Sequence, residues 1–407
     1  MIEQSLGKNY SRFVNVLIFI FPILINSVKV GGDIVLFILA VMGIFIAISK
    51  KLSPFNIKEI KVFSYLTAGY FIALCLAVLF SVKGAEQAHL LSRDLYFLFA
   101  PFIALAFYKA EINVSYLLAG VKVGLIVLGL ISFDQLQSGN TRPSGVMNAD
   151  VFGNLAVSMF FVVLVFFKDE SFKYKIFTLV SLLSGLFVIV ASGTRGAWLS
   201  FLLLLVGYLY FLYKQKTLSS ARSKIIAVLI IAGLFSVVSL NQSLKDRGHL
   251  AYAQTAAWLS GEKTPNSVSL RLEMYKTAID NIKDVPLFGH GLRTSNIVLH
   301  NLAPAGFQGY IVSFNHLHNA YLTNYFNGGI FLLGALLFLL FAPLWLFIKE
   351  NSQNHEEPIF IAGALLTLGY ASYGMVNILF GDVFMNAFYV FFLAIFLPLT
   401  ARSKTIS

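Results

Sequence analysis

The chain has 407 residues, of which 58% are apolar and only 12% are charged, and its formal net charge is +11. Soluble domains carry about 25% charged residues, so this composition excludes an ordinary soluble globular protein. The basic residues sit in short connectors between apolar runs, which is how membrane topology signals are distributed; no nucleic-acid partner is expected.

A helix crossing about 30 Å of hydrocarbon needs about 20 apolar residues. In chain order the candidate spans are 13–28, 32–48, 62–81, 93–108, 113–131, 150–167, 174–190, 197–213, 225–240, 321–348, 358–376 and 383–399. They predict an all-α fold, a polytopic transmembrane helical bundle of about 12 helices embedded in membrane lipids. Several are short, so ten or eleven spans with one re-entrant segment is the alternative. Lys8 and Arg12 precede the first run as in a signal peptide. No small-residue cleavage site follows, so the run reads as a retained helix. The single cysteine, Cys75, lies in an apolar run, which rules out an intrachain disulfide and a cysteine-based metal site. The 40 Phe residues suit lipid-facing helices.

Lys and Arg are shared unequally between the two sides. Seventeen lie in the termini and one set of connectors, whereas the opposite short connectors hold Lys29, Lys83, Arg93, Arg142 and Arg195. The richer side should be cytoplasmic. Spans 1–9 then occupy residues 1–240, a large external loop occupies 241–319, and spans 10–12 with a cytoplasmic tail occupy 320–407. The external loop is the most polar stretch of the chain. Within it Val268, Leu272, Tyr275, Ile279 and Ile282 recur at spacings of four and three, which predicts an amphipathic helix with that stripe buried. Asn266 or Ser267 can cap its start, and Pro286 stops it. At about 100° per residue Arg271 falls at the edge of the buried face.

Charges inside a membrane are costly and usually functional. No Asp or Glu falls at the centre of a predicted span; Lys122 is the one obvious midspan charge, read as a snorkelling side chain or a misplaced boundary. Asp33, Arg93, Asp134, Arg142, Asp150, Arg195 and Asp382 gather instead at the outer membrane edge. A proton-coupled transporter would place carboxylates near the midplane, so surface chemistry is the better reading. Three features stand out there. Small residues surround Arg195 in the turn from Ser192 to Trp198, leaving its guanidinium open to a phosphate. Arg271 lies on the amphipathic helix. His316-Leu317-His318-Asn319 precedes a span; no acidic or Cys ligands complete a metal site there, and a neutral histidine can act as a general base. Structural capping by Asn315 or His318 is the plainer alternative. Pro286-Leu287-Phe288-Gly289-His290-Gly291 lacks the Lys-Ser/Thr ending of a phosphate loop, and its glycines read as a turn.

Taken together and in order, the Thr194-Arg195 turn, Arg271-x-x-x-Tyr275 leading to Pro286-x-x-Gly289-x-Gly291, and His316-x-His318-Asn319 resemble the O-antigen ligase family, within the wider superfamily of O-antigen ligases and polymerases. The resemblance implies an enzyme of the bacterial inner membrane with its active site facing the periplasm. Its donor would be a glycan on undecaprenyl pyrophosphate and its acceptor a lipid A–core sugar. Transfer would be inverting, with no metal and no cofactor. His318, the histidine directly followed by Asn, would be the general base. Arg195 and Arg271 would stabilise the departing pyrophosphate, with Arg142 and Arg93 as helpers. His316, Asn319 and Asp382 are the remaining substrate-binding candidates. An O-antigen polymerase or a protein O-oligosaccharyltransferase would share the donor chemistry; a lipid or polysaccharide transporter is the reading from another class.

Overall fold

A computed structural model describes residues 2–81, 84–167, 171–215, 242–262, 264–352 and 357–403. Every regular element among them is helical. Numbered in chain order, α1 is Ile2–Ser27, α2 Gly31–Ser49, α3 Lys61–Leu79, α4 the short Gly84–Gln87, α5 Leu95–Lys109, α6 Val114–Gln137, α7 Ala149–Phe166, α8 Phe172–Ala191 and α9 Arg195–Lys214. The external segment holds α10 Gln242–Leu259, α11 Ser269–Asp280, α12 Ser295–Leu302 and α13 Ala305–Ile311. The last three are α14 Ala320–Ser352, α15 Pro358–Tyr373 and α16 Val383–Ser403. Ten helices among the described residues are long and apolar enough to cross a membrane, and α15 is a shorter apolar helix. The expected span at 225–240 lies outside the described residues.

Helices α7, α15 and α16 form the buried centre, and the others surround them. Apolar side chains run all round α16, as expected of a helix enclosed by others. Phe388, Phe391, Phe392 and Phe396 are fully buried there, with Phe391 stacked on Phe21 of α1 at 3.8 Å between centroids. Phenylalanine is thus as much a core residue as a lipid-facing one, because aromatic rings fill helix–helix gaps; Phe37, Phe45 and Phe338 do face outward. Lys122 does not snorkel: it is buried within α6.

Helix α11 forms where the loop's apolar spacing predicts, and Asn266 caps it by accepting from the amides of Val268 and Ser269. The buried face is rotated from the expected stripe. Leu270, Met274 and Ala278 point inward, while Ile279 is exposed. A second small cluster decides this. Leu299, Phe307, Ile311, Leu317 and Phe326 close around the 270–274–278 face. Tyr275 of the expected stripe packs against the edge of the same cluster.

The predicted span 321–348 falls within α14, a single helix broken at Gly329, whose φ is 64° and ψ −157°. Phe326 and Asn327 lose their intrahelical partners near such a break. The turn at Pro286–Gly291 supplies them instead: His290 N–H donates to Phe326 O at 2.8 Å and Gly291 N–H to Asn327 O at 2.9 Å. Phe288 is sandwiched between Phe80 and Phe331. The glycine-rich turn is therefore a wedge that completes a broken membrane helix and fixes the external segment to the bundle.

Candidate active site

Three chain segments meet at the mouth of the bundle. The first is the turn between α8 and α9. Gly193 takes a left-handed φ of 62°, a conformation glycine adopts without a Cβ penalty. A Cβ on Gly196 would sit 2.6 Å from Val376, so glycine lets the start of α9 press against the segment after α15. Thr194 precedes α9, and its hydroxyl donates to Ala149 O and to Asp150 Oδ1, both at 3.1 Å. The second segment is the loop before α7. Gln135 Oε1 accepts from the amides of Ser144 and Gly145, which holds the loop's return. Arg142 then donates from Nε to Ser192 O at 3.3 Å and pairs through Nη2 with Asp150 at 3.2 Å. The third is the start of α11, tied across the mouth by the bond from Arg195 Nη2 to Ser267 Oγ at 3.2 Å.

These segments enclose a cavity of about 440 Å³ lined by Arg142, Asp150, Asn154, Gly193, Thr194, Arg195, Gly196, Leu250, Ser267, Arg271, Val376 and Asn377. Three guanidinium groups from three separate segments thus share one space. The first turns of α7 and α9 also border it, and helix N-termini attract anions through their free N–H groups and the helix dipole. Arg271 is half-buried and makes no hydrogen bond or ion pair with a described residue.

The two histidines lie beside this cavity, and neither is among its lining residues. Their rings are 4.5 Å apart. Leu317 between them is fully buried, and its amide donates to Thr323 Oγ1. His318 takes a left-handed φ of 50°, its carbonyl accepts from the Tyr275 hydroxyl at 2.6 Å, and its ring lies edge-on to Phe314. Its Nδ1 is buried without a hydrogen-bond partner among the described residues. Burial pushes His316 down to about 4, with Asn377 opposing and Arg271 adding to the fall. Burial, then the neighbouring His316 and Arg271, push His318 down to about 3. Both rings are neutral near pH 7.

The other expected residues are placed apart from the cavity. Asn319 caps α14 by accepting from the Leu322 amide and donates to Met375 O. Capping thus falls to Asn319, not to Asn315 or His318. Asp382 accepts from the amides of Phe384 and Met385 at the start of α16, with Arg93 close enough to offset part of the rise that burial imposes on its carboxyl. Neither Arg93 nor Asp382 lines the cavity. Residues not singled out for the site do line it: Asp150, Asn154, Ser267 and Asn377. Asp150 was visible as an edge charge; a lone Asn beyond α15 carries no signal in sequence.

Comparison with known proteins bears on the same segments. An uncharacterized protein of Haemophilus influenzae is 26% identical over 370 residues, covering 88% of this chain and 89% of that protein. Residues 177–339 match a family described as O-Antigen ligase, and this stretch contains the Arg195 turn, α11 with Arg271, the glycine wedge and the His316–Asn319 loop. Over residues 177–339 the chain is thus similar to the O-antigen ligase family.

Proposed function

We propose that the protein transfers a glycan from undecaprenyl pyrophosphate to a sugar hydroxyl of lipid A–core, on the periplasmic side of a bacterial inner membrane, with inversion and without a metal. The observation that carries this reading is the convergence of Arg142, Arg195 and Arg271 on one cavity at the bundle's mouth. A glycosyl pyrophosphate leaves with at least two negative charges. Preorganised cations and N–H dipoles aimed at that developing charge lower the barrier most when they need not reorganise. Guanidinium groups suit pyrophosphate because they donate in pairs to neighbouring oxygens. The apolar helices around the mouth would hold the polyprenyl chain in lipid while its head enters the cavity. The group that takes the acceptor's proton is His318, as the family resemblance implies; its ring lies beside the cavity, 4.5 Å from that of His316.

Polymerases and protein O-oligosaccharyltransferases share this donor, so the acceptor is the point to test. Purified protein is offered one lipid-linked donor with lipid A–core, with polyprenyl-linked O-antigen, or with a pilin-like protein. Transfer to lipid A–core is expected. Transfer only to a polyprenyl-linked or protein acceptor reassigns the reaction, and transfer to none of the three ends the proposal.

The side of the membrane follows from the Lys/Arg asymmetry. In a Cys75→Ala background, Lys276→Cys in α11 should react with an impermeant thiol reagent in intact spheroplasts. Gln215→Cys after α9 should react only after lysis. The reverse pattern would turn the protein over and place the cavity in the cytoplasm.

A further inference from the structure

We propose that a second, polar pocket, across the histidine loop from the arginine cavity, seats hydroxyl groups of the acceptor sugar. The proposal rests on the transfer reading above and deepens it by giving the acceptor a place. The pocket is small, about 40 Å³, and its polar lining includes Asp94, Arg293, Asn315, Thr323, Asn324 and Asn327. It shares no lining residue with the arginine cavity. Two stretches of chain divide the spaces. Asn377 lines the cavity, and the next residue, Ile378, lines the pocket. Asn315 lines the pocket, and its Oδ1 is 2.5 Å from Nδ1 of His316. Burial lowers the His316 imidazole most and Asn377 opposes it, while Arg271 from the cavity and Arg293 from the pocket both add to the fall. That ring is thus within electrostatic reach of a guanidinium from each space.

The pocket's chemistry suits a neutral polar ligand. Asp94, Thr323 and Asn324 are buried side chains that nonetheless border open space. Arg293 is half-buried, takes a left-handed φ of 57°, and makes no hydrogen bond or ion pair with a described residue. Such a backbone conformation is uncommon outside glycine and clusters at functional sites. The Thr323 hydroxyl accepts from the Leu317 amide at 3.1 Å and gives its own proton to no described residue. A hydroxyl both donates and accepts, so a carboxylate beside a guanidinium and a free O–H meets both halves of it. About 10–15 Å³ is enough for one water-sized group, so the pocket admits the hydroxyls along one edge of a sugar and not a whole ring. Pyrophosphate is poorly served, since its charge would face Asp94 with one lining guanidinium, against three in the cavity. Repulsion of the wrong group adds to specificity. Inversion asks for the same arrangement, because the acceptor oxygen must reach the anomeric carbon from the face away from the departing pyrophosphate. A donor head held by Arg142, Arg195 and Arg271 and an acceptor held by Asp94 and Arg293 approach from two sides of the loop that carries His318.

The experiment measures initial rates for the full chain in nanodiscs. Lipid A–core is varied at fixed synthetic undecaprenyl-pyrophosphate glycan, then the reverse, and binding of undecaprenyl pyrophosphate is measured alongside. Arg293→Gln and Asp94→Asn should each raise KM for lipid A–core by about 10–100-fold, the usual value of a hydrogen bond to a charged group. Because uniform binding moves KM alone, kcat, KM for the donor and undecaprenyl pyrophosphate binding should stay within about threefold of wild type. Asp94 also accepts from Asn386 Nδ2 at 2.9 Å, so Asp94→Asn can fail to fold; Arg293 has no such bond, and its variant decides. Arg293→Gln with the wild-type KM for lipid A–core overturns the proposal. So does an equal loss toward donor and acceptor, the mark of a purely structural role. So does weakened undecaprenyl pyrophosphate binding like that of Arg195→Ala, which would put the donor head in the pocket. Wild-type protein that does not transfer to lipid A–core removes the acceptor reading itself and the proposal with it, an outcome seen before any variant is compared.

Discussion

Alanine at both Arg195 and Arg271 is expected to lower glycan transfer by at least about 10³-fold, since removing one preorganised charge-stabilising donor typically costs about 10²–10³ in rate. The two side chains come from different segments and border one cavity, so each single variant should already lose most of the rate. Lysine is expected to be a poor replacement at either position. An ammonium keeps the charge but cannot offer two parallel N–H donors to adjacent phosphate oxygens. Folding should be little affected. Arg195 is bonded to the exposed Ser267 hydroxyl, and Arg271 is half-buried beside open space. The check is the initial rate of purified variants that elute and melt like wild type. A double variant with near-normal transfer would separate the cavity from the chemistry altogether.

That the arginines were legible in sequence and Asp150's place among the cavity's lining was not has a physical reason. A cation at the end of an apolar run is visible one residue at a time, because any charge near a membrane stands out against its neighbours. Arg195 had such a background, whereas Arg142 was legible as a basic residue in a short outer connector and Arg271 as the edge of an amphipathic stripe. The meaning of Asp150 depends on what faces it across the fold, namely Thr194 forty-four residues away and Arg142 on the preceding loop. Periodicity likewise predicted α11, with Asn266 or Ser267 as its cap, but it put the wrong face inward. Two stripes compete on that helix, and the choice is made by Leu299, Phe307 and Phe326, far along the chain. Arg93 and Asp382 share the composition of a site and the outer edge of the bundle. They lie apart from the cavity, and Asp382 is committed to the start of α16. The histidine loop was readable as a motif; its burial, which keeps both rings neutral, belongs to the packing of Leu317 and Phe314 around it.

Gly329→Ala should prevent stable folding, while Gly334→Ala, five residues along the same helix, should leave the protein intact. Nothing in the sequence separates the two, since both glycines lie in one apolar run. At Gly329 the backbone has φ 64° and ψ −157°, a region occupied essentially by glycine alone; forcing another residue there costs on the order of 1–3 kcal/mol. The added Cβ would also stand 1.9 Å from the Leu287 carbonyl oxygen and 2.8 Å from the Gly289 nitrogen. Those are backbone atoms of the wedge, so no side-chain rotation relieves the overlap, and the Pro286–Gly291 turn must leave the helix break. With it go the bonds that His290 and Gly291 supply to Phe326 and Asn327, each buried carbonyl left unpaired at a cost of about 1–3 kcal/mol. Summed, these losses approach the whole stability of a typical domain, about 5–15 kcal/mol. Gly289→Ala meets the same obstacle from the other side, with its Cβ 2.4 Å from Gly328 N and a φ of 72°. Gly334 has no heavy atom within 4 Å of its Cβ direction, and alanine there is favoured in a helix by about 1 kcal/mol. Thermal unfolding of detergent-purified protein, read by loss of the monodisperse elution peak, compares the three variants. Melting of Gly329→Ala at the wild-type temperature would mean that the turn does not hold the broken helix, and that α11 with Arg271 is positioned over the cavity by other contacts.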